Sequence, residues 1–110
     1  MRVAIIGAGP AGLFLGAALA RRGHQVCAFD RDPGPSGQTR WERRGVMQFH
    51  HAHVFRHTVA EALARELPEA LGGWLALGAE LVHSDLPGLR DAPMGHLSRR
   101  ETFERALRDG

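Results

Sequence analysis

Val3-Ala4-Ile5-Ile6-Gly7-Ala8-Gly9-Pro10-Ala11-Gly12 is the stretch on which the reading of this chain turns. Its first four residues form a short apolar run rich in β-branched side chains, the pattern of a strand buried on both faces. Beyond the glycines, Leu13, Leu15, Gly16, Ala17 and Leu19 fall mainly on one side of a helical wheel. Arg21-Arg22-Gly23 then supplies a cationic last turn and a glycine stop. Strand, tight turn and helix follow one another directly. Gly7 lets the chain turn sharply out of the strand, Gly9 lets the backbone approach a pyrophosphate, and Gly12 lets the helix pack close to the sheet. An anion here sits on the free N–H groups and positive dipole end of a helix that begins at Pro10 and Ala11. Proline is tolerated because its missing N–H belongs to the first turn.

A second apolar run, Val26-Cys27-Ala28-Phe29, ends in Asp30, 23 residues after Gly7. A second parallel strand would deliver a carboxylate there to hydrogen-bond a ribose hydroxyl. The spacing predicts an α/β protein with a Rossmann-like βαβ dinucleotide-binding unit. An acid at position 30 argues against a 2′-phosphorylated dinucleotide, which it would repel. Arg2 to Asp30 resembles the FAD/NAD(P)-binding fold of flavoproteins, in which the ligand is the ADP half of FAD. The motif alone leaves FAD and NAD both open.

Composition bounds what surrounds this unit. With 110 residues and 44% hydrophobic content, the chain allows at most one globular domain. Its 14 basic residues, all arginine, nearly balance 12 acidic ones, so charge gives no reason to expect a nucleic-acid partner. The single cysteine, Cys27, excludes an internal disulfide and reads as a small buried hydrophobe in a strand. The N-terminus runs straight into a strand rather than a signal peptide, and no apolar stretch reaches ~18 residues, so the expectation is a soluble cytoplasmic protein without membrane partners.

Arg31 to Phe49 is polar and punctuated by proline and glycine, which predicts a long loop beside the cofactor. Of its arginines, Arg40, Arg43 and Arg44 are candidates to face a pyrophosphate. From Ala52 to Leu67 the apolar spacing predicts a helix. Pro68 ends it and opens a second helix, stopped by Gly78. Leu81 and Val82 suit a brief strand, and Leu86 to Gly95 reads as loop. Ser98-Arg99-Arg100-Glu101 has the form of a capping box that starts a last helix carrying Phe103 and Leu107. His53 and His57 could share a helix face, with His50 and His51 nearby, but the glutamate of a zinc-protease motif is missing and no metal site is expected.

Gly45-Val46-Met47-Gln48-Phe49-His50-His51-Ala52-His53 resembles the segment G-x-x-Q-x-x-H-x-H of a branch of FAD-dependent monooxygenases related to aromatic-ring hydroxylases and polyene epoxidases. Met47 departs from the proline common there. The family's later R-x-x-L-x is matched by Arg100-Glu101-Thr102-Phe103-Glu104, with phenylalanine for leucine. The resemblance implies a cofactor-binding set of Gly7, Gly9, Pro10, Ala11, Gly12, Asp30, Arg31, Arg43 and Arg100. Asp30 would meet the adenosine ribose, an arginine among Arg40, Arg43 and Arg44 the cofactor's middle, and Arg100 the ribityl or phosphate region. It also implies FAD as cofactor, NAD(P)H as electron donor, and oxygenation of a small organic substrate by reduced flavin and dioxygen. No residue stands out as a catalytic acid or base.

Such enzymes are several times longer. Residues 1–110 read as the N-terminal part of an FAD-binding domain: a βαβ motif over 1–30, a cofactor-proximal loop over 31–53 and helical segments over 53–110. The fold reads as incomplete at the C-terminus, with a third parallel strand expected soon after Gly110. Partners would then be the remainder of the enzyme or a second copy. An NAD-dependent dehydrogenase and a non-catalytic dinucleotide-binding module are the alternatives.

Overall fold

The computed structural model describes residues 1–34, 41, 43, 49–84 and 93–109. It opens with strand β1 (Arg2–Ile6), helix α1 (Pro10–Arg21) and strand β2 (Gln25–Phe29). β1 and β2 pair in parallel, from Arg2 opposite Gln25 to Ile6 opposite Phe29. Helix α1 lies against one face of the pair. A Cβ at Gly16 would stand 3.4 Å from Ile5 Cδ1 and 3.6 Å from Val26 Cγ1, so the small residue sets how closely helix and sheet approach. The helix ends where the arginine–glycine signal placed it. Gly23 takes a positive φ of 85°, its N–H donates to the Ala20 carbonyl, and the N–H of His24 donates to that of Leu19, a Schellman pattern.

The expectation that β1 is buried on both faces is corrected. Ile5 is its one buried residue, while Ile6 is 85% and Phe29 54% exposed. Cys27 is exposed rather than buried. Successive strand residues alternate between faces, and α1 covers just one of them.

The rest forms a second layer: β3 (Ala52–Arg56), α2 (His57–Glu66), α3 (Pro68–Ala76), β4 (Glu80–His83), β5 (Pro93–Arg99) and α4 (Arg100–Asp109). The strands make an antiparallel sheet in the order β3-β5-β4. Two expectations are overturned. Ala52–Arg56 is a strand rather than the first turn of a helix, because the segment pairs with β5, Phe55 opposite His96, while His53 and Phe55 alternate to the less exposed face. Pro93–Gly95 belongs to β5 rather than to a loop, while 86–92 lie outside the described residues. The helix expected after Pro68 is present. Pro68 opens α3, and Gly78, at a φ of 104°, closes it.

Ser98 does not cap a helix. It lies in β5, where its hydroxyl accepts a 2.8 Å bond from Trp74 Nε1 and donates to the Arg99 carbonyl. Glu101 likewise turns its carboxylate to His50 and Arg105. The core sits between the helices and this sheet, built from Leu63, Leu67, Ala70, Trp74, Phe103, Ala106 and Leu107. Phe55, Trp74 and Phe103 form an aromatic triangle with ring centroids 4.5 to 5.3 Å apart, the spacing at which edge-to-face and offset rings attract. Residues Leu13, Phe14 and Ala17 of α1 pack against the same core, which ties the first unit to the second. No helix among the described residues is long and apolar enough to cross a membrane.

Candidate functional site

The site is assembled at the N-terminus of α1. Gly7 leaves β1 at a φ of 101°, a conformation open to glycine and strained for side-chain-bearing residues. Its N–H donates 2.7 Å to the Phe29 carbonyl, so the turn is pinned to the end of β2. A Cβ at Gly12 would overlap the Gly7 carbonyl oxygen and stand 3.4 Å from Ile5 Cγ2. Gly9 is different. A Cβ there would have one neighbour within 4 Å, Arg100 NH2 at 3.9 Å. Gly9 is the N-cap of α1, Pro10 occupies the first turn, no side chain caps the helix and no acid lies in its first turn. The first-turn N–H groups, which have no partner within the helix, and the positive dipole end therefore face the space in front of Gly9.

Around this turn lies a buried charge cluster. Asp30 Oδ2 accepts from the Ala8 N–H at 2.8 Å and from Arg43 NH2 at 2.6 Å, and Oδ1 accepts from the Asp32 N–H at 2.8 Å. Burial raises the Asp30 pKa, but the Asp32 and Ala8 N–H groups and Arg43 outweigh it and hold the carboxyl below its ordinary range. Arg43, with 4% of its side chain exposed, pairs with Asp30, Asp32 and Glu104 and donates to the Ala8 carbonyl. Burial disfavours its charge, but Glu104 and the two aspartates more than compensate, so its pKa rises. Arg100 bonds through Nε to Glu104 Oε1 at 3.1 Å. Arg108 donates to the Ala8 carbonyl and sits over the Trp41 ring. Burial and then the like charge of Arg43 lower its pKa.

Most residues expected at a site are thus brought together. Gly7, Gly9, Gly12, Asp30, Arg43 and Arg100 share one neighbourhood. Pro10 and Ala11 form the first turn of α1, and Arg31 is exposed beside Asp30. With Ile6, Gly7, Phe29, Asp30 and Asp32, Arg31 lines an open depression next to the turn. Arg43 is enclosed by carboxylates, whereas Arg40, Arg44 and Gly45 to Gln48 lie outside the described residues. The shared helix face for His53 and His57 does not exist, since His53 belongs to β3 and His57 starts α2. Among the described residues no three histidine, cysteine or acidic side chains group as metal ligands.

Sequence reasoning missed Glu104, Asp32 and Arg108. The signal was available in part: Arg100, Glu104 and Arg108 recur every four residues, one face of α4 beside the apolar face of Phe103 and Leu107. What that face meets depends on how α4 docks, which no local pattern shows.

The NAD(P)-binding Rossmann-like domain family matches residues 5–67, from β1 through the end of α2. The chain belongs to that family. A relative, the NAD-dependent dihydropyrimidine dehydrogenase subunit PreT of Escherichia coli K12, is 44% identical over 48 residues. The match covers 44% of this chain and 11% of that protein. Among solved structures, a putative FAD containing monooxygenase from Photorhabdus luminescens subsp. laumondii TTO1 superposes over 100% of this chain and 28% of its own, with a TM-score of 0.68 at 19% identity. The peptidyl tryptophan dihydroxylase QhpG, essential for tryptophylquinone cofactor biogenesis, superposes over 98% of this chain and 22% of its own, with a TM-score of 0.59 at 27% identity. The Rossmann-like chain therefore spans about a quarter of these structures and about a tenth of PreT.

Proposed function

We propose that this chain holds the ADP half of FAD and forms part of a cytoplasmic FAD-dependent oxidoreductase of the monooxygenase type, with NAD(P)H as electron donor and a small organic molecule as substrate. The observation that carries this reading is the space in front of Gly9, flanked by an uncapped helix N-terminus and Arg100. A pyrophosphate suits it in charge, and the missing Cβ leaves room for its close approach. The fold shared with an FAD-containing monooxygenase along the whole chain supports flavin as the ligand. Flavin, when bound, supplies the redox chemistry. The chain's own residues bind and orient: α1 receives phosphate oxygens, the depression formed by Ile6 and Phe29 offers apolar surface to an adenine ring, and Asp30 stands at the ribose.

The name of PreT favours a second reading, a domain that takes NAD. Titrating the purified chain with ADP, FAD and NAD separates the two. Binding of ADP and FAD with weaker NAD binding is expected. Preference for NAD would move the protein to the dehydrogenase reading, and failure to bind ADP at all would refute both.

A further inference from the structure

Glu104 is the acid in this site that the dinucleotide reading leaves without a task. It has 0% exposure, and a buried carboxylate persists only when its charge is matched. Its two oxygens go to two different arginines, Oε2 to Arg43 NH1 and Oε1 to Arg100 Nε. Those arginines flank the glycine turn. Arg43 reaches the Ala8 carbonyl and Asp30, and Arg100 reaches toward Gly9. Their charge environments differ. Arg43 is surrounded by three carboxylates, whereas Arg100, with a third of its side chain exposed, pairs among the described residues with Glu104 alone. A guanidinium carries five N–H donors, so Arg100 keeps four after its Nε bond.

We propose that Glu104 is a positioning residue for the phosphate end of the bound dinucleotide. Its carboxylate fixes Arg100 by Nε so that the terminal N–H groups face the space before Gly9. It also holds Arg43 on Asp30, away from the phosphates. Arg43 is then an organiser of the turn and Arg100 the phosphate cation, delivered by α4. An arginine locked in this way loses less freedom on meeting an anion than one free to sample rotamers, and it can present two parallel N–H bonds. The inference rests on the dinucleotide reading above.

The test compares ADP with adenosine, because the two differ only in the phosphates Arg100 is to meet. Dissociation constants are measured on the full chain for wild type, Glu104→Gln, Arg100→Ala, Arg100→Lys and the double variant Arg100→Ala/Glu104→Gln. Wild type is expected to prefer ADP. Arg100→Ala should reduce that preference about tenfold, as for loss of a charged hydrogen-bond pair, with adenosine affinity unchanged. Glu104→Gln should reduce it in the same direction and add nothing in the double variant. Arg100→Lys keeps the charge but has a single nitrogen, which cannot be fixed by Glu104 at one atom while presenting a parallel pair of N–H bonds from two others, so it should keep only part of the wild-type preference. The lysine variant also decides the matter if Glu104→Gln does not fold. Equal loss of ADP and adenosine affinity in Glu104→Gln, independent addition of its effect to that of Arg100→Ala, or full preference in Arg100→Lys would each overturn the positioning role. Wild type binding ADP and adenosine equally would do the same while leaving a nucleoside site in place, and wild type binding neither would remove the dinucleotide reading itself.

Discussion

Gly9 and Gly12 are three residues apart and ask opposite things of a side chain. At Gly12 a Cβ would overlap the Gly7 carbonyl oxygen, so the turn must open or α1 must lift from β1. At Gly9 a Cβ would meet just the Arg100 guanidinium, at an ordinary contact distance of 3.9 Å, and at a φ of −78° that any residue adopts. Gly12→Val should therefore destabilise the fold by about 3 kcal/mol or more, the upper part of the overpacking range. Gly9→Val should cost at most about 1 kcal/mol as an N-cap change and yet abolish ADP binding. Denaturant melts paired with ADP titrations check both, and wild-type ADP affinity in Gly9→Val would dismiss the phosphate site. Asp30 supplies a pH prediction at the same scale. Burial works against its ionised form, but the N–H groups of Asp32 and Ala8 and the charge of Arg43 prevail, placing its folded pKa below the ordinary 3.8. A depressed carboxyl stabilises the fold above its ordinary value and loses that contribution as pH falls through the folded value. Stability should thus drop below about pH 4, and Asp30→Asn should be less stable at neutral pH with a shallower acid decline. Parallel acid-unfolding curves for the two proteins would count against this assignment.

Glycine has just as divided a role within the later elements. In β5, Gly95 lies opposite Arg56, and a Cβ there would overlap the Phe55 carbonyl oxygen and stand 3.0 Å from Arg56 Cα. In α3, Gly72 has nothing within 4 Å of its Cβ position. Gly95→Ala should destabilise by about 1–3 kcal/mol through strand displacement, and Gly72→Ala should stabilise by about 0.5–1 kcal/mol through helix propensity. Thermal melts of the two variants moving in the same direction would contradict the packing described for β5. This contrast also shows what the sequence could reveal. β1, α1 and β2 were legible because strand residues, turn glycines, helix spacing and the closing acid all agree within thirty residues. α3 was legible from Pro68 and Gly78, whose backbone preferences act locally. β3 and β5 were not, because their pairing partners lie some forty residues apart and each run is short. Val54 and Phe55 fit a helical stripe as readily as an alternating strand until His96 is known to lie opposite Phe55. Ser98 and Glu101 carry a helix-start pattern, but Trp74 and His50 claim their side chains first. Docking across the core overrode a local signal, and the same docking brings Glu104 to the turn.

Taken as a whole, the molecule separates into a well-filled second layer and a thinly covered parallel pair. The core residues come almost entirely from α2, α3 and α4, whereas the outer face of β1 and β2 leaves Ile6 and Phe29 exposed beside an open depression. Two parallel strands covered on one side are marginal, since such sheets are ordinarily buried on both faces, and unpaired strand edges invite association. On the function proposed above, the ADP half of the cofactor would ask mainly for the glycine turn, Asp30 and Arg100. The proposed site assigns none of the described residues to the tricyclic flavin ring. The 110-residue chain should therefore bind ADP and FAD with similar, modest affinity, the ring adding little. It should emerge from purification without yellow colour and show no NAD(P)H oxidation with added FAD. It should also self-associate as concentration rises, and a charge on the open face, as in Phe29→Glu, should suppress that association. An absorbance spectrum at the flavin band, ADP and FAD titrations, and sedimentation of wild type beside Phe29→Glu provide the readings. Tight stoichiometric flavin would show that these residues build more of the ring site than argued. Association untouched by the charge would place the contact elsewhere, on the apolar outer face of the antiparallel sheet where Val54 and Leu97 are 51% and 37% exposed.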